Sequence, residues 1–493
     1  MNKNPGSLHR NFRAGSSTLE ILIAFAVLML SLTAMVSISF GNQSMSLDTE
    51  TNNEALYMAK GSLEEARALS RHSFASVLAA TANESIYTKE LEVSDLTPCR
   101  KEVTSRISWL VSALRPQTIE LTTGLTSAAE IAALGGDCIT EPPPSDWDNP
   151  QIFADDTINP GKTVDIDVLD KIAYLGADAS PYFYIADTTG AVQGQSGGLF
   201  VTFANGFDLD AKPNSLDAIK SGTKTYVFAA VDDTVDQLRV VDVTDINNPV
   251  LAATRTLSSC VTGSYPEGWR LKVYGDRLYF ATRETAGPEF HVFNISDPEN
   301  PAELGTGACL GTELNTTVND IAVQDRMIAS SLMRFAYTAT TGNSREITVF
   351  DVTDSLNVGS TTEVVTARQD LSGSQDGQSI FLVSNKLYFG RESASGPDLY
   401  VYDVTDPTAG VSLIASWDAS ADVLDLFVAG PYAFVATAKP SDEFEVLNVS
   451  DLSNISLVVE YNFTNKVDRI DYETDFVYTN GLSTPNFQIL HSP

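Results

Sequence analysis

The 493-residue sequence has few of the residues from which metal and catalytic sites are usually built: four cysteines and four histidines. No two cysteines stand in a CxxC spacing, which argues against a structural zinc site. Basic residues are also scarce, with 31 Lys and Arg against 64 Asp and Glu and a formal net charge of −33. Because phosphate backbones repel such a polyanion, we exclude nucleic acid as a partner. Because cysteine and histidine are scarce, we also expect no metal, and we expect no cofactor.

One long apolar run stands near the N-terminus. It extends from Ile21 to about Phe40, and together with Leu19 it is long enough to span a bilayer as a helix. The basic residues Lys3, Arg10 and Arg13 precede it, which predicts a cytoplasmic leader and an external C-terminal part. A plain signal anchor or an uncleaved signal peptide is one interpretation of this pattern.

Two residues distinguish this segment from a plain anchor. Gly15 stands at the junction of the basic leader and the apolar run, and Glu20 is a carboxylate inside that run, where charge is costly and usually functional. Together with Thr18 and Leu19, these residues resemble the type III signal of type IV pilins and type II secretion pseudopilins. Ser16 differs from the phenylalanine that is usual in that family.

The resemblance implies a pathway. A prepilin peptidase would cut after Gly15 and methylate Ser16, and Glu20 would pair with the N-terminal amine of a neighbouring subunit during assembly. The implied partners are other pilins or pseudopilins, the prepilin peptidase and the inner membrane. The implied location is a single-pass position in a bacterial inner membrane, then an extracellular pilus or a periplasmic pseudopilus.

The segment up to about residue 138 predicts a helix and a small sheet. Small and apolar residues recur at helical spacing after residue 55, which extends the predicted helix from about Thr18 to about Leu69. Three β-rich stretches follow at 86–93, 102–111 and 118–123. Cys99 and Cys138 bracket them and are candidates for a disulfide, two free thiols being the alternative. We therefore predict an α+β pilin module with a long N-terminal helix and a small antiparallel sheet.

A repeated phrase occupies the remainder of the chain. It reads Val240-Val241-Asp242-Val243-Thr244-Asp245, and it returns four times with its final Asp 52, 57, 52 and 45 residues further on. A second β-rich stretch lies about sixteen residues before each phrase. A repeat near 50 residues with about four strands predicts a β-propeller blade. The phrase resembles LVIVD-type propeller repeats over roughly 165–493.

Counting blades predicts seven, with six or eight as alternatives. The last blade has only three strands, and 151–153 is the candidate that completes it and closes the ring. Cys260 and Cys309 follow successive outer strands and form a second candidate disulfide. The aspartates of the phrase are interpreted as acceptors for backbone N–H groups in turns, with a calcium site as the alternative.

Other candidate sites are weak. The stretch 208–214 only loosely matches a calcium loop, because Lys212 occupies an oxygen position. His291 lies inside a strand phrase and is interpreted as a core or surface residue, while His72 and His491 have no recognisable partner. The stretch 194–198 is interpreted as a flexible hairpin tip, since no helix follows it to bind phosphate.

The predicted organisation is a leader at 1–15, a pilin-like helix and sheet at 16–138, a Pro-rich linker at 139–149 and an all-β propeller at 150–493. The predicted function is that of a minor, tip-located filament subunit whose propeller mediates adhesion or binds a surface glycan or protein, without enzymatic activity. A type II secretion pseudopilin that contacts cargo and a membrane-tethered propeller enzyme are the alternatives.

Overall fold

The computed structural model describes residues 17–72, 74, 77–97, 100–112, 115–126, 147–159, 161–201, 206–257, 266–305, 310–328, 331–353, 362–393, 395–463 and 466–493. The chain divides into two compact units. The first comprises Met1–Ala68, Val77–Ser94 and Glu102–Gly124, and the second comprises Leu69–Ser76, Asp95–Lys101 and Leu125–Pro493.

The first unit consists mainly of one helix and one sheet. Helix α1 spans Ser17–His72, and the strands β1 (Ala80–Glu84), β2 (Tyr87–Thr97), β3 (Arg100–Ser112) and β4 (Arg115–Thr126) pair in chain order. Ala55 and Ala59 are buried on α1 against Tyr87, Ile107 and Trp109. Their small side chains let the helix backbone approach the sheet closely.

The predicted fold class is corrected: the N-terminal helix and the small sheet are present, but the chain as a whole is nearly all-β and these elements are not shown to be a pilin module. Apart from α1 and short 3₁₀ turns, the described residues form 33 β-strands, and the buried core of the chain lies almost entirely between sheets. The apolar side chains of α1 from Leu22 to Val36 contribute nothing to that core, because they are exposed. The chain is therefore nearly all-β and propeller-like, and we do not retain the α+β pilin module.

The described part of the chain contains no helix that combines the length and the apolar character needed to cross a bilayer, so the predicted single-pass anchoring is not supported.

The second unit contains the remaining strands. In chain order they are β5 (Gln151–Asp156), β6 (Thr163–Leu169), β7 (Ile172–Ala177), β8 (Tyr182–Asp187), β9 (Gln195–Ser196), β10 (Phe207–Asp208), β11 (Pro213–Ser221), β12 (Lys224–Val231), β13 (Leu238–Asp242), β14 (Val250–Arg255), β15 (Gly268–Tyr274), β16 (Arg277–Thr282), β17 (Phe290–Asn294), β18 (Ala302–Leu304), β19 (Val318–Ile328), β20 (Ser331–Thr340), β21 (Ile347–Asp351), β22 (Thr362–Glu363), β23 (Gly377–Val383), β24 (Lys386–Arg391), β25 (Leu399–Asp403), β26 (Ser412–Trp417), β27 (Val423–Ala429), β28 (Tyr432–Thr437), β29 (Phe444–Asn448), β30 (Ser456–Tyr461), β31 (Ile470–Glu473), β32 (Phe476–Asn480) and β33 (Phe487–His491). Short 3₁₀ helices span Val365–Ala367, Pro407–Ala409 and Leu452–Asn454.

These strands form seven sheets within the described residues, which confirms the β-propeller prediction. Blade I contains β6, β7, β8 and β10, blades II to VI take four consecutive strands each from β11 to β30, and blade VII contains β31, β32, β33, β5 and β9. The innermost strands are neighbours in the order β6, β11, β15, β19, β23, β27, β31, and β31 again lies beside β6. The blades therefore close into a ring.

The two ends of the propeller sequence join in blade VII. Strand β5 pairs antiparallel with β33, with Ile152 opposite Leu490, so the predicted closing strand at 151–153 is confirmed and extends to Asp156. Strand β9 pairs parallel with β5, and Gly194 donates its N–H to the Phe153 carbonyl at 2.7 Å. The predicted free hairpin tip at 194–198 is thus part of the blade VII sheet.

The repeated phrase forms the third strand of blades II to VI and the beginning of the turn after it. Asp242 accepts the Thr244 N–H through Oδ1 at 3.0 Å, and Asp245 accepts the Asn247 N–H at the same distance. Asn294 and Asn448 make the same turn bond in other blades. The structural interpretation of the aspartates is confirmed, because their carboxylates accept N–H groups of the turn. At the position of Asp242, an asparagine amide oxygen serves equally well.

Candidate functional site in the propeller axis

The inner strands place two rings of side chains around the propeller axis. Six of these strands carry a register shift that ends at Asp165, Ser215, Arg270, Asp320, Ser379 or Asp425. These residues and Arg469, which precedes β31, are named the upper ring. Two residues further along each strand, on the same face of the strand, lies the lower ring: Asp167, Asp217, Lys272, Ala322, Phe381, Phe427 and Asp471.

Carboxylates of the upper ring link each blade to the next. Asp165 accepts the Leu216 N–H at 2.6 Å, and Asp320 accepts the Ile380 N–H at 2.8 Å. Asp425 accepts the Ile470 N–H at 2.9 Å. Each bond joins the inner strand of one blade to the inner strand of the following blade, so these aspartates satisfy backbone donors that the twisted ring leaves without a strand partner.

Cations occupy two positions of the upper ring. Arg270 donates to the carbonyl oxygens of Asn214 and Asn319, which belong to the inner strands on either side of it. Arg469 donates to the Leu424 carbonyl at 2.9 Å, and its Nε lies 3.6 Å from Asp165 Oδ1. The upper ring therefore contains three carboxylates and two guanidinium groups, all of which hold neighbouring blades together.

One arc of the lower ring is ionic. The Oδ2 atoms of Asp471, Asp167 and Asp217 accept the N–H groups of Val168, Ala218 and Val273 at 2.6, 2.8 and 2.6 Å. Lys272 follows on the next blade, with Nζ 3.1 Å from Asp217 Oδ2. Its side chain keeps 46% of its surface exposed although it belongs to an inner strand. We name Asp471, Asp167, Asp217 and Lys272 the ionic arc.

Burial and mutual repulsion perturb these carboxylates. Burial raises the pKa of Asp471 to about 7 and those of Asp165 and Asp320 to about 6. Burial also raises the pKa of Asp167, and the charges of Asp217 and Asp471 raise it further. Burial opposes the charge on Lys272, but the neighbouring carboxylates outweigh it and raise the pKa of the ammonium. Burial and repulsion therefore favour the protonated forms of Asp167 and Asp471, and Lys272 is the cation that acts on both carboxyls.

The opposite arc of the lower ring is apolar. Ala322, Phe381 and Phe427 occupy it on blades IV, V and VI, and both phenylalanines are half-buried. The ring centroids of Phe381 and Phe427 lie 4.4 Å apart, and Phe427 lies 5.5 Å from Tyr472. We name Ala322, Phe381 and Phe427 the aromatic arc.

Most site residues predicted from the sequence are outside the described part of the chain. Gly15, Ser16 and all four cysteines, Cys99, Cys138, Cys260 and Cys309, are outside the described residues, so neither processing nor disulfide pairing is tested. Glu20 lies within α1, but its side chain is not described. These assignments stay predictions.

The stretch 208–214, which only loosely matches a calcium loop, connects β10 to β11. Asp208 Oδ1 accepts the Asp210 N–H at 2.9 Å, and in the described part of the chain no group of three or more His, Cys, Asp and Glu residues is arranged to hold a metal ion. The aspartate therefore has a local backbone role.

The two histidines of the propeller have defined partners. His291 is fully buried in blade III, where Nδ1 faces Glu303 Oε1 at 2.7 Å and Nε2 faces the Pro288 carbonyl at 2.9 Å. This confirms it as a strand residue of the core. His491, for which the sequence offered no partner, lies 3.6 Å from Asp475 and against the ring of Phe476.

Sequence reasoning missed both rings. A signal exists: each inner strand carries a polar residue, an aliphatic residue and a second ring residue in succession, as in Asp165-Ile166-Asp167, Ser215-Leu216-Asp217 and Arg270-Leu271-Lys272. The pattern recurs at the blade period, but its ring positions vary between acid, base, hydroxyl and aromatic side chains. A search for one recurring motif therefore overlooks it.

Comparisons with known proteins agree with the propeller. Residues 420–463, which include blade VI, match the family model described as the LVIVD repeat. No curated protein matches the chain. Solved structures similar to it include the Cps50 (Swd1) β-propeller domain of Myceliophteria thermophila, at 12% identity and a TM-score of 0.46, covering 70% of this chain and 99% of that one. The Dos1 propeller is 11% identical with a TM-score of 0.41, and the match covers 70% of this chain and 94% of that one. The computationally designed Ika8 protein is 11% identical with a TM-score of 0.45, and the match covers 69% of this chain and 99% of that one.

At these identities and TM-scores no conclusion about function rests on the solved structures. The family match and the seven sheets define the class: the chain contains a β-propeller with an LVIVD repeat. The propeller fold suggests a ligand-binding or adhesion-type protein, and nothing in the comparisons supports a pilin subunit.

Proposed function

We propose that this protein is a recognition protein without enzymatic activity, whose propeller binds a ligand group in its axis at the lower ring. The observation that carries the proposal is the division of that ring into an ionic arc on blades VII, I, II and III and an aromatic arc on blades IV, V and VI. A concave site with an apolar wall and a few convergent charged groups is the common form of a small-ligand site.

The hydrogen bonds of the lower-ring carboxylates favour binding over catalysis. Asp167, Asp217 and Asp471 each hold a backbone N–H of the next blade. A group fixed in this way provides a charge and a hydrogen-bond acceptor at a constant position, but movement during a reaction would break the link between blades. The arrangement supports electrostatic recognition of a ligand.

The experiment is a thermal-shift screen of the full-length chain with anionic, cationic and neutral small molecules. We expect ligands that raise the midpoint of unfolding in the native chain and lose this effect in a Phe381→Leu variant. Leu413→Ala is the control, because Leu413 is exposed on the outer strand of the same blade. Ligands that act equally on all three proteins, or a screen without any shift, contradict axial binding.

Adhesion is the larger role that this binding supports. A surface glycan or a protein would present the recognised group to the axis, and the loops at the rim would contact the remainder of the partner. Cells or surfaces that bind the native chain and the Phe381→Leu variant equally would separate adhesion from the axial site.

A filament-subunit role is a second candidate, favoured only by the sequence at 15–20. Cleavage after Gly15, methylation of Ser16 and pairing through Glu20 remain proposals that the fold does not carry. Mass spectrometry of the mature N-terminus in native cells tests them: a chain that begins at methylated Ser16 supports the role, whereas retention of Met1 contradicts it. Neighbouring genes for a retraction ATPase or for a secretin with cargo enzymes would distinguish a pilus from a secretion pseudopilus.

A further inference from the structure

The ionic arc carries more negative than positive charge. Asp471, Asp167 and Asp217 stand on three successive blades, and Lys272 is the single cation of the arc. Lys272 lies 3.1 Å from Asp217. Within the described residues, no Lys or Arg side chain forms an ion pair with Asp167 or Asp471. Asp167 and Asp471 are therefore hydrogen-bonded to backbone amides and share the more distant charge of Lys272, which is paired directly with Asp217.

Lys272 shows which chemistry the arc accepts. Its primary ammonium reaches the axis on a flexible four-carbon stem and contacts a carboxylate whose other bond goes to the Val273 amide. A second ammonium beside Asp167 and Asp471 would meet the same kind of oxygen ligands and would relieve their mutual repulsion. An anion would meet carboxyl groups on three successive blades and would raise their pKa values further, which disfavours carboxylates, sulfates and phosphates in this arc.

The aromatic arc adds a requirement for the rest of the ligand. Phe381 and Phe427 are half-buried and in contact at 4.4 Å, and they stand across the axis from the ionic arc. Aromatic faces bind alkyl chains through apolar burial and attract cations through their quadrupole. A group that carries charge at one end and apolar surface along its length matches both arcs at once.

We infer, on the basis of the binding function proposed above, that the axial site takes a primary ammonium group carried on an apolar stem. A free alkylamine and a lysine side chain of a protein partner share this chemistry. Asp167 and Asp471, which have no direct ion pair, would bind the ammonium, and the aromatic arc would contact the stem.

The test is isothermal titration of the full-length chain with three probes of equal length: hexylammonium, hexanoate and hexanol. We expect binding of hexylammonium, and affinity for the other two that is lower by about tenfold or more, since one charge-assisted contact is worth roughly that factor. Nα-acetyl-lysine methylamide serves as a fourth probe. If it binds as well as hexylammonium, the source is a lysine side chain, and if it does not, the source is a free amine.

Asp167→Asn is the informative variant. Its amide oxygen can still accept the Ala218 N–H, so the link between blades is retained while the charge is removed. We expect affinity for hexylammonium to fall about tenfold. Asp403→Asn is the matched control, because Asp403 makes a turn bond to Thr405 at the rim and asparagine occupies the equivalent positions 294 and 448. The control should bind hexylammonium like the native chain.

The outcomes separate this inference from the proposed function. Binding of hexanoate or hexanol in preference to hexylammonium, abolished by Phe381→Leu, overturns the ammonium assignment and leaves axial binding in place. Equal loss of hexylammonium binding in Asp167→Asn and Asp403→Asn overturns the assignment of the site. A dissociation constant of about 10 mM corresponds to a binding free energy near 3 kcal/mol. If no probe binds at concentrations up to that limit, the inference is overturned.

Discussion

Asp471 of the last blade accepts the backbone N–H of Val168 of the first blade through Oδ2 at 2.6 Å, while its Oδ1 accepts the Tyr472 N–H at 2.8 Å. The carboxylate therefore closes the inner ring, just as the pairing of β33 with β5 closes the outer part of blade VII. Closure is made twice, once by backbone pairing and once by a side chain.

Replacement of Asp471 by alanine should destabilise the protein. It leaves the N–H groups of Val168 and Tyr472 without their acceptor, and a buried donor left unsatisfied costs about 1–3 kcal/mol. Urea unfolding at neutral pH measures the loss. Asp403→Ala is the control, because that turn aspartate holds an N–H group near solvent at the rim. An Asp471→Ala protein as stable as the control would show that the side chain does not contribute to closure.

Stability should fall as the pH rises from about 4.5 to about 7.5. The pKa of Asp471 in the folded chain is about 7, and those of Asp165 and Asp320 are about 6, whereas the unfolded value is near 3.9. The folded state thus binds more protons than the unfolded state in this window, so the contribution of these groups is fully present below the unfolded pKa and is lost as pH rises through the folded values.

Urea unfolding across that window measures the slope, for which we expect a decrease of several kcal/mol in the free energy of unfolding, since a difference of one in pKa corresponds to about 1.4 kcal/mol. In a double Asp165→Asn, Asp320→Asn variant the decrease should be smaller, because two of the titrating groups are absent. A stability that increases with pH between these limits contradicts the assigned direction.

The propeller was predictable from the sequence because a repeated strand phrase reports its own period. The turn aspartates were also predictable, since Asp242 and its equivalents bond within two residues, and local bonds follow local sequence. The closing strand at 151–153 was predictable because the last blade had only three strands of its own and needed a fourth to close the ring.

The site was not predictable, because its members come from different blades. Asp167 and Asp471 are separated by about three hundred residues, and only ring closure brings them to one axis. The α+β pilin class was wrong for a related reason, although the helix and the sheet themselves are present. Apolar periodicity in α1 predicts a helix, but it does not reveal which side chains are buried, and those from Leu22 to Val36 are exposed.

Trp147 should be essential to the last two blades. It is fully buried although it belongs to the predicted Pro-rich linker, its ring lies 4.7 Å from that of Phe434, and its Nε1 donates to Asp475 Oδ1 at 3.0 Å. Trp147→Ala should cost about 3–5 kcal/mol, the usual loss for a large buried ring. Trp417→Ala is the control, since Trp417 is only half-buried. Equal losses in chemical unfolding would refute a special role of Trp147.

Gly268 should tolerate no side chain. It precedes the register shift in β15, and a Cβ atom there would lie 2.6 Å from the Gln237 carbonyl oxygen and 2.9 Å from the Val231 nitrogen. Because both atoms belong to backbone of the neighbouring blade, they cannot move aside as a flexible side chain would. Gly268→Ala should therefore destabilise the chain by about 1–3 kcal/mol, the range for overpacking.

Gly190→Ala is the matched control, because nothing lies within 4 Å of its Cβ position, and it should leave the unfolding midpoint unchanged. If Gly268→Ala unfolds at the same denaturant concentration as Gly190→Ala, the inner strand of blade III does not approach blade II as closely as described, and the placement of Arg270 and Lys272 in the rings fails with it.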